Sequence, residues 1–226
     1  MDKHISVAID GPSGAGKSTL ARAAAKMQNL IYVDTGAIYR TVALYTLRSG
    51  TDAKEEAAVA ELLPKIKITM NYDSAGFQRM ELNGEDVSGL IRTQEISMAA
   101  SAIAAYPEVR AYLLHMQRDM AENYDVIMDG RDIGTVVLPQ ADVKIFLTAS
   151  SEARARRRWL ELKERGAPRE FEQLLQETRQ RDADDANRTV SPLRPAEDAV
   201  ILDTTELNFQ ESLEKIIEII RERTAL

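Results

Sequence analysis

The chain has 226 residues, 44% of them hydrophobic, and its 36 acidic and 29 basic side chains give a net charge of −7; that length suits one α/β core with appendages rather than two independent domains. The acidic balance argues against a general nucleic-acid binder, and with no cysteine there are no disulfides, thiolate zinc sites or cysteine nucleophiles. No apolar run approaches the roughly 18 residues of a membrane helix.

In chain order, the first informative stretch is ISVAIDGPSGAGKSTL, from Ile5 to Leu20. Alternating Ile5, Val7 and Ile9 predict a buried strand, and LARAAAKM predicts a helix directly after the glycine-rich break. Gly11, Gly16, Lys17 and Ser18 fit G-x-x-x-x-G-K-[ST] in the strand–loop–helix setting that gives the pattern meaning. Glycines let successive N–H groups turn inward as an anion nest, and the new helix presents its positive end to the same spot. Binding of a nucleoside triphosphate is therefore expected. Pro12, Ser13, Gly14, Ala15 and Thr19 complete the wall, Lys17 reaches the outer phosphates, and the Ser18 hydroxyl can ligate Mg²⁺. Cleavage of a leader would destroy this loop, so a cytoplasmic location is expected.

LIYVD (Leu30 to Asp34) reads as a second strand, and TGAIYRTVALYTLRSG as a helix closed by Gly50. Thr51-Asp52 is expected to cap a further helix that Pro64 ends. KIKITMNY and FQRMELN, separated by Asp73-Ser-Ala-Gly76, predict a hairpin, with EDVSG as an edge strand. The span from Lys65 to about Ile91 thus reads as an antiparallel insert. Two helices follow, the second opening at Pro107. DVIMDGRD, VKIFLTAS and AVILDTT are the remaining strands, and FQESLEKIIEIIRER the last helix. This order predicts a parallel sheet of about five strands with helices on both faces.

Between the last two strands, Ser151 to Val190 holds 10 of the 29 basic residues beside 9 acidic ones. Gly166-Ala-Pro168 divides it into two helices, which predicts a hinged flap over phosphates; the alternative is a solvated helical hairpin with paired charges. Arg154, Arg158 and Arg165 share a face with Arg157 beside it, and Arg181, Asp185 and Arg188 share another. Several guanidinium groups arriving together suit phosphoryl transfer, which spreads charge over the equatorial oxygens. Asp129, at the end of a strand beside the phosphate loop, is placed to support Mg²⁺, the alternative being a turn cap. Arg131 points toward the same crevice. Arg40 falls six residues past the second strand, where it is either a phosphate ligand or a surface arginine.

Six stretches then carry a specific resemblance: GPSGAGKST, DTGAIYR, NGEDVSGLIRTQEIS, DGRDIGTVV, KIFLTASSEARARRR and RDADDANRTVSPL. In this order, and over nearly the whole chain, they resemble the bacterial cytidylate kinases. The resemblance implies a P-loop nucleoside monophosphate kinase fold: a core (about 1–35, 107–150 and 191–226), a monophosphate-binding region with the hairpin insert (36–106), and an arginine-rich lid (151–190). It implies transfer from ATP, with Mg²⁺, to CMP or dCMP. The family's base-site residues fall on Ser101, Arg110 and Asp132, with Arg188 nearby. Arg181 and Asp185 fall at the sugar, and Thr35, Arg40 and Arg131 at the phosphate. Lys17, Asp129, Arg131 and Arg181 are the expected catalytic set, and Arg154, Arg157 and Arg158 are expected at ATP. Position 35 is threonine where serine is also common in the family, which keeps the hydroxyl.

The CMP phosphate oxygen is already ionised at neutral pH, so no general base is needed, and His4 and His115 lie outside every motif. A monomer binding neither nucleic acid nor membrane is expected. Two rivals are another small P-loop kinase, for UMP or a different acceptor, and a nucleotide-switch or assembly protein. The second would need an N-K-x-D motif, which the chain lacks.

Overall fold

A computed structural model describes residues 4–224. The first strand, β1 (Ser6–Asp10), is buried at every position. It is followed by α1 (Lys17–Gln28), β2 (Ile31–Asp34) and α2 (Thr35–Arg48). With β6 (Val126–Gly130), β7 (Val143–Thr148) and β8 (Val200–Asp203), these strands form a five-stranded sheet in the order β2-β6-β1-β7-β8. Every pairing is parallel. This is the expected doubly covered sheet, with β1 at its centre and no polar face to alternate toward.

The pleat sends alternate β1 residues to opposite cores. Val7 and Ile9 pack with Ala21 and Ala24 of α1 and with Ile216 and Ile220 of the last helix, α8 (Phe209–Arg223). Ala8 faces Met128, Val33 and Ile133 on the other side. Alanines at 21, 24 and 25 let α1 lie close on the sheet. A reciprocal pair of bonds between Asn208 and Glu211 starts α8.

The predicted insert forms as a separate antiparallel sheet: β3 (Ile68–Tyr72), β4 (Gln78–Leu82) and the short β5 (Glu85–Asp86). Its turn is closed by Asp73, whose Oδ1 accepts from the Ala75 and Phe77 amides. Together with α2, α4 (Gln94–Ile103) and the first turns of α5 (Pro107–Asn123), the insert encloses its own apolar cluster, including Ile38, Met80, Ile91, Ile103 and Leu113. That cluster crosses Pro107 into α5, so packing does not stop at residue 106.

Two local expectations are corrected. Thr51-Asp52 does not cap a helix; Asp52 Oδ1 accepts from the Lys54 amide in a turn, and α3 spans only Glu56–Ala60. A 3₁₀ turn over Leu63–Lys65 takes up Pro64 at its start, where a missing N–H costs nothing. After β6 the chain makes a π-helical turn over Ile133–Val137 that no periodicity announced. The arginine-rich segment is the expected pair of helices, α6 (Ser151–Glu164) and α7 (Phe171–Ala186), joined by a turn with Gly166 at φ +71°.

Candidate active site

A crevice of about 710 Å³ opens at the C-terminal ends of β1, β2 and β6, roofed by α6 and α7. Its floor is the glycine loop. Gly11 has φ +148°, and a Cβ there would lie 1.9 Å from the Leu147 carbonyl oxygen, so no side chain fits. Gly11 and Pro12 are buried behind the crevice, whereas Ser13 through Thr19 line it. Lys17 is only 6% exposed, and its Nζ donates to the Pro12 carbonyl at 2.8 Å. Burial, and then the Arg131 guanidinium, push its pKa down to about 7 against the pull of Asp129 and Asp10.

Parallel pairing sets Asp34 directly beside Asp129. Asp129 is buried; its Oδ2 accepts from the Ser18 hydroxyl at 2.8 Å and its Oδ1 from the Tyr32 hydroxyl at 2.7 Å. Burial and the neighbouring Asp34 raise its carboxyl above the usual range. A buried carboxylate already holding the loop serine is a hard oxygen pair of the kind Mg²⁺ takes alongside substrate phosphates. Among the described residues there is no cluster of three or more His, Cys, Asp or Glu able to hold a metal by themselves.

Asp34 caps α2 through the Ala37 amide at 2.9 Å and pairs with Arg40 at 2.8 Å. Arg40 Nε is buried without a hydrogen-bond partner. Thr35, on the same turn, donates its hydroxyl to the Asp129 carbonyl at 2.7 Å. Opposite, Asp185 of α7 is 1% exposed and receives Arg131 Nε at 2.8 Å and Arg188 at 2.6 Å. Burial would raise Asp185, but Arg131 and Arg188 outweigh it and hold the carboxyl low. Arg181 is short of partners: its Nε is buried and unbonded, and burial with Arg131 beside it lowers its pKa. Four guanidinium groups thus face one crevice with too few carboxylates to neutralise them. That is an anion site.

Farther along, Arg110 pairs with Asp132 and also donates to the Ala104 carbonyl at 3.0 Å. Tyr39 lies against the Arg110 guanidinium, 5.8 Å from ring centre, and its hydroxyl is pushed up to about 12, chiefly by burial. Arg188 donates to the Ser101 hydroxyl at 3.1 Å. Ser101, Arg110, Asp132 and Arg188 therefore line one end of the crevice together.

The lid arginines behave differently from one another. Arg154 is 4% exposed and spends its donors on Asp182, the Ser13 and Ala149 carbonyls and the Ser151 hydroxyl. In this conformation it is a tether between lid and phosphate loop, with no donor left for a nucleotide. Arg157 reaches the Thr204 carbonyl at 2.5 Å, and Arg158 pairs with Glu161 at 2.8 Å, half-exposed at the far end.

Three participants were not singled out from the sequence. Asp10, at the end of β1, accepts from the Ile133 and Gly134 amides at 2.7 and 2.8 Å and so fixes the turn that carries Asp132. Burial lifts its pKa to about 6 despite those two bonds. An acid closing a buried strand was a usable signal. Tyr32 and Gln78 gave none, because their partners come from β6 and β2.

The chain matches the cytidylate kinase family over residues 7–222. It is 48% identical over 217 residues to a cytidylate kinase of Caldicellulosiruptor saccharolyticus, covering 96% of each chain. It is 47% identical to one of Desulfitobacterium hafniense, covering 99% of this chain and 95% of that one. Against a cytidylate kinase of Mannheimia succiniciproducens the identity is 46%, with both chains covered completely.

Proposed function

The chain belongs to the cytidylate kinase family, and from that premise we propose that its crevice transfers the terminal phosphoryl group of ATP in line to CMP or dCMP. The observation that carries the reading is the incompletely neutralised arginine set across one crevice from the phosphate loop: Arg131 and Arg188 share the single carboxylate of Asp185, and Arg40 and Arg181 each bury an unbonded Nε. Two phosphate-bearing ligands meeting there would bring together the anions those groups lack.

The roles follow from position. Amides of Ser13 through Thr19 and the start of α1 hold the triphosphate. Lys17, moving from the Pro12 carbonyl, meets the migrating phosphoryl. Arg131 and Arg181 stabilise its equatorial oxygens, and Arg40 holds the acceptor phosphate with Thr35 beside it. Asp185 bridges Arg131 and Arg188 in the free protein and accepts from the sugar in the complex. Ser18 and Asp129 would hold Mg²⁺, which neutralises triphosphate charge and orients it. Arg157 and Arg158 lie on the ATP side, where Thr204 and Leu207 extend the crevice. Arg154 contributes there by fixing α6 to the loop. Closure of α6 and α7 excludes water that would otherwise accept the phosphoryl group. The acceptor oxygen is ionised at neutral pH, in keeping with the exposed positions of His4 and His115.

Base choice is assigned to Asp132 and Arg110. A carboxylate accepts from the cytosine amino group and repels the O4 of uracil, while a guanidinium donates to cytosine N3 and O2 but meets a donor at uracil N3. ADP release should be measured with ATP and CMP, dCMP, UMP or AMP. CMP and dCMP should exceed UMP in kcat/KM by about 10²-fold or more, since two buried mismatches are at stake. Equal rates with CMP and UMP would refute the base assignment.

A further inference from the structure

β2 is an edge strand: β6 pairs with one side of it, and among the described residues its outer side has no partner strand in the parallel sheet. At its last residue that outer side is not left to water. The Gln78 side chain, on the first residue of β4, accepts from the Asp34 amide at 2.7 Å and donates to the Asp34 carbonyl at 3.2 Å. A carboxamide carries one acceptor and one donor in a plane, as a peptide unit does, so Gln78 does for Asp34 what one residue of an added strand would do. The insert is fastened again two residues earlier on β2, at Tyr32. Tyr72 donates its hydroxyl to the Tyr32 carbonyl at 3.1 Å, and Arg22 lies over both the Tyr32 and Phe77 rings, at 5.2 and 5.3 Å.

We propose that Gln78 is a positioning residue for the acceptor-phosphate site, and that through it the antiparallel insert sets the affinity for the nucleoside monophosphate. The chain of contacts is short. Gln78 fixes the Asp34 backbone; the Asp34 carboxylate caps α2 through Ala37 and holds Arg40 at 2.8 Å; Thr35, the next residue, is bonded to the end of β6. Freeing the Asp34 backbone lets the carboxylate and Arg40 shift together, and a displacement of under an ångström is enough to weaken a guanidinium–phosphate contact. On the triphosphate side Lys17 and Arg154 are held by Pro12, Ser13 and Asp182, none of which Gln78 contacts.

This inference rests on the reading of Arg40 as a ligand of the acceptor phosphate, and the test separates the two. Steady-state constants for CMP and ATP are measured for the wild type, Gln78→Met, Arg40→Ala and the double variant. Methionine keeps the side-chain length and removes both bonds. Gln78→Met should raise KM for CMP about tenfold, with kcat and KM for ATP changing less than about threefold. In the Arg40→Ala background the same substitution should add less than about threefold, as expected when one residue acts through the other. An unchanged KM for CMP in Gln78→Met, an equal rise in KM for ATP, or additivity with Arg40→Ala would each overturn the proposal. If Arg40→Ala itself leaves KM for CMP unchanged, the acceptor-phosphate assignment fails instead.

Discussion

Residue by residue, the site is built from buried charges that their protein partners satisfy only in part. Lys17 is the clearest case, since burial and Arg131 bring its pKa to about 7 in the free protein. A bound triphosphate restores the ammonium form, so the complex holds more protons than the free protein above that pH. Triphosphate affinity should therefore fall as pH rises above about 7, and binding at pH 8 should take up close to one proton. Calorimetric titration with ATP in buffers of different ionisation enthalpy measures this directly, and Lys17→Met should abolish the uptake. Proton-neutral binding by the wild type would sink the account of Lys17. At the other end, Asp132 is paired with Arg110, and its removal deletes the group proposed to accept from the cytosine amine. Asp132→Ala should lose about 10²-fold or more in kcat/KM for CMP and much less for UMP. A residue that merely held its turn would slow both substrates equally, leaving their ratio unchanged.

Among the elements, the α6–α7 hairpin packs chiefly on itself and meets the rest of the chain at a few buried charges. Its inner ends are held by two buried acids, Asp182 on Arg154 and Asp185 on Arg131 and Arg188. Its outer turn is held by surface pairs such as Arg169–Glu177, which are worth little in water. Asp182→Ala would leave Arg154 buried with two of its five hydrogen bonds, and its only carboxylate partner, gone. The expected cost is about 2–3 kcal/mol, a drop in Tm of roughly 4–12 °C. The helices should also become the most protease-sensitive part of the chain, cut near Gly166 to Arg169, with ATP plus CMP restoring protection. A Tm and cleavage pattern identical to wild type would remove Arg154–Asp182 as the tether. The insert makes the opposite case: a small sheet with its own buried methionine and isoleucines, fixed to the main sheet by side-chain bonds to β2.

Over the whole molecule, the order of elements and most of the candidate site were legible because both rest on local rules. G-x-x-x-x-G-K-S between strand and helix states its own geometry, and continuous apolar runs at β1, β6 and β7 announce a sheet covered on both faces. Pattern alone also marked the insert, because strand alternation of period two replaces helical period there. Arginine spacing put Arg181 and Asp185 on one face of α7, but the helix ends at Ala186 and not at the expected Arg188, which reaches Asp185 from the loop beyond. What the linear chain withheld were pairings across 44 to 123 positions: Gln78 with Asp34, Tyr32 with Asp129, Asp10 with the turn after β6. A hydrogen bond between distant residues leaves no periodicity to read. Arg154 shows the same limit from the other side. Composition marks it as one cation among ten, and only the meeting of α6, α7 and the phosphate loop turns it from a nucleotide ligand into a tether. Residue type and short-range spacing determined the fold class and the phosphate chemistry. Which charges stay unpaired, and so face the substrates, was decided by the tertiary structure, because desolvation and partner geometry exist only once the chain has closed on itself.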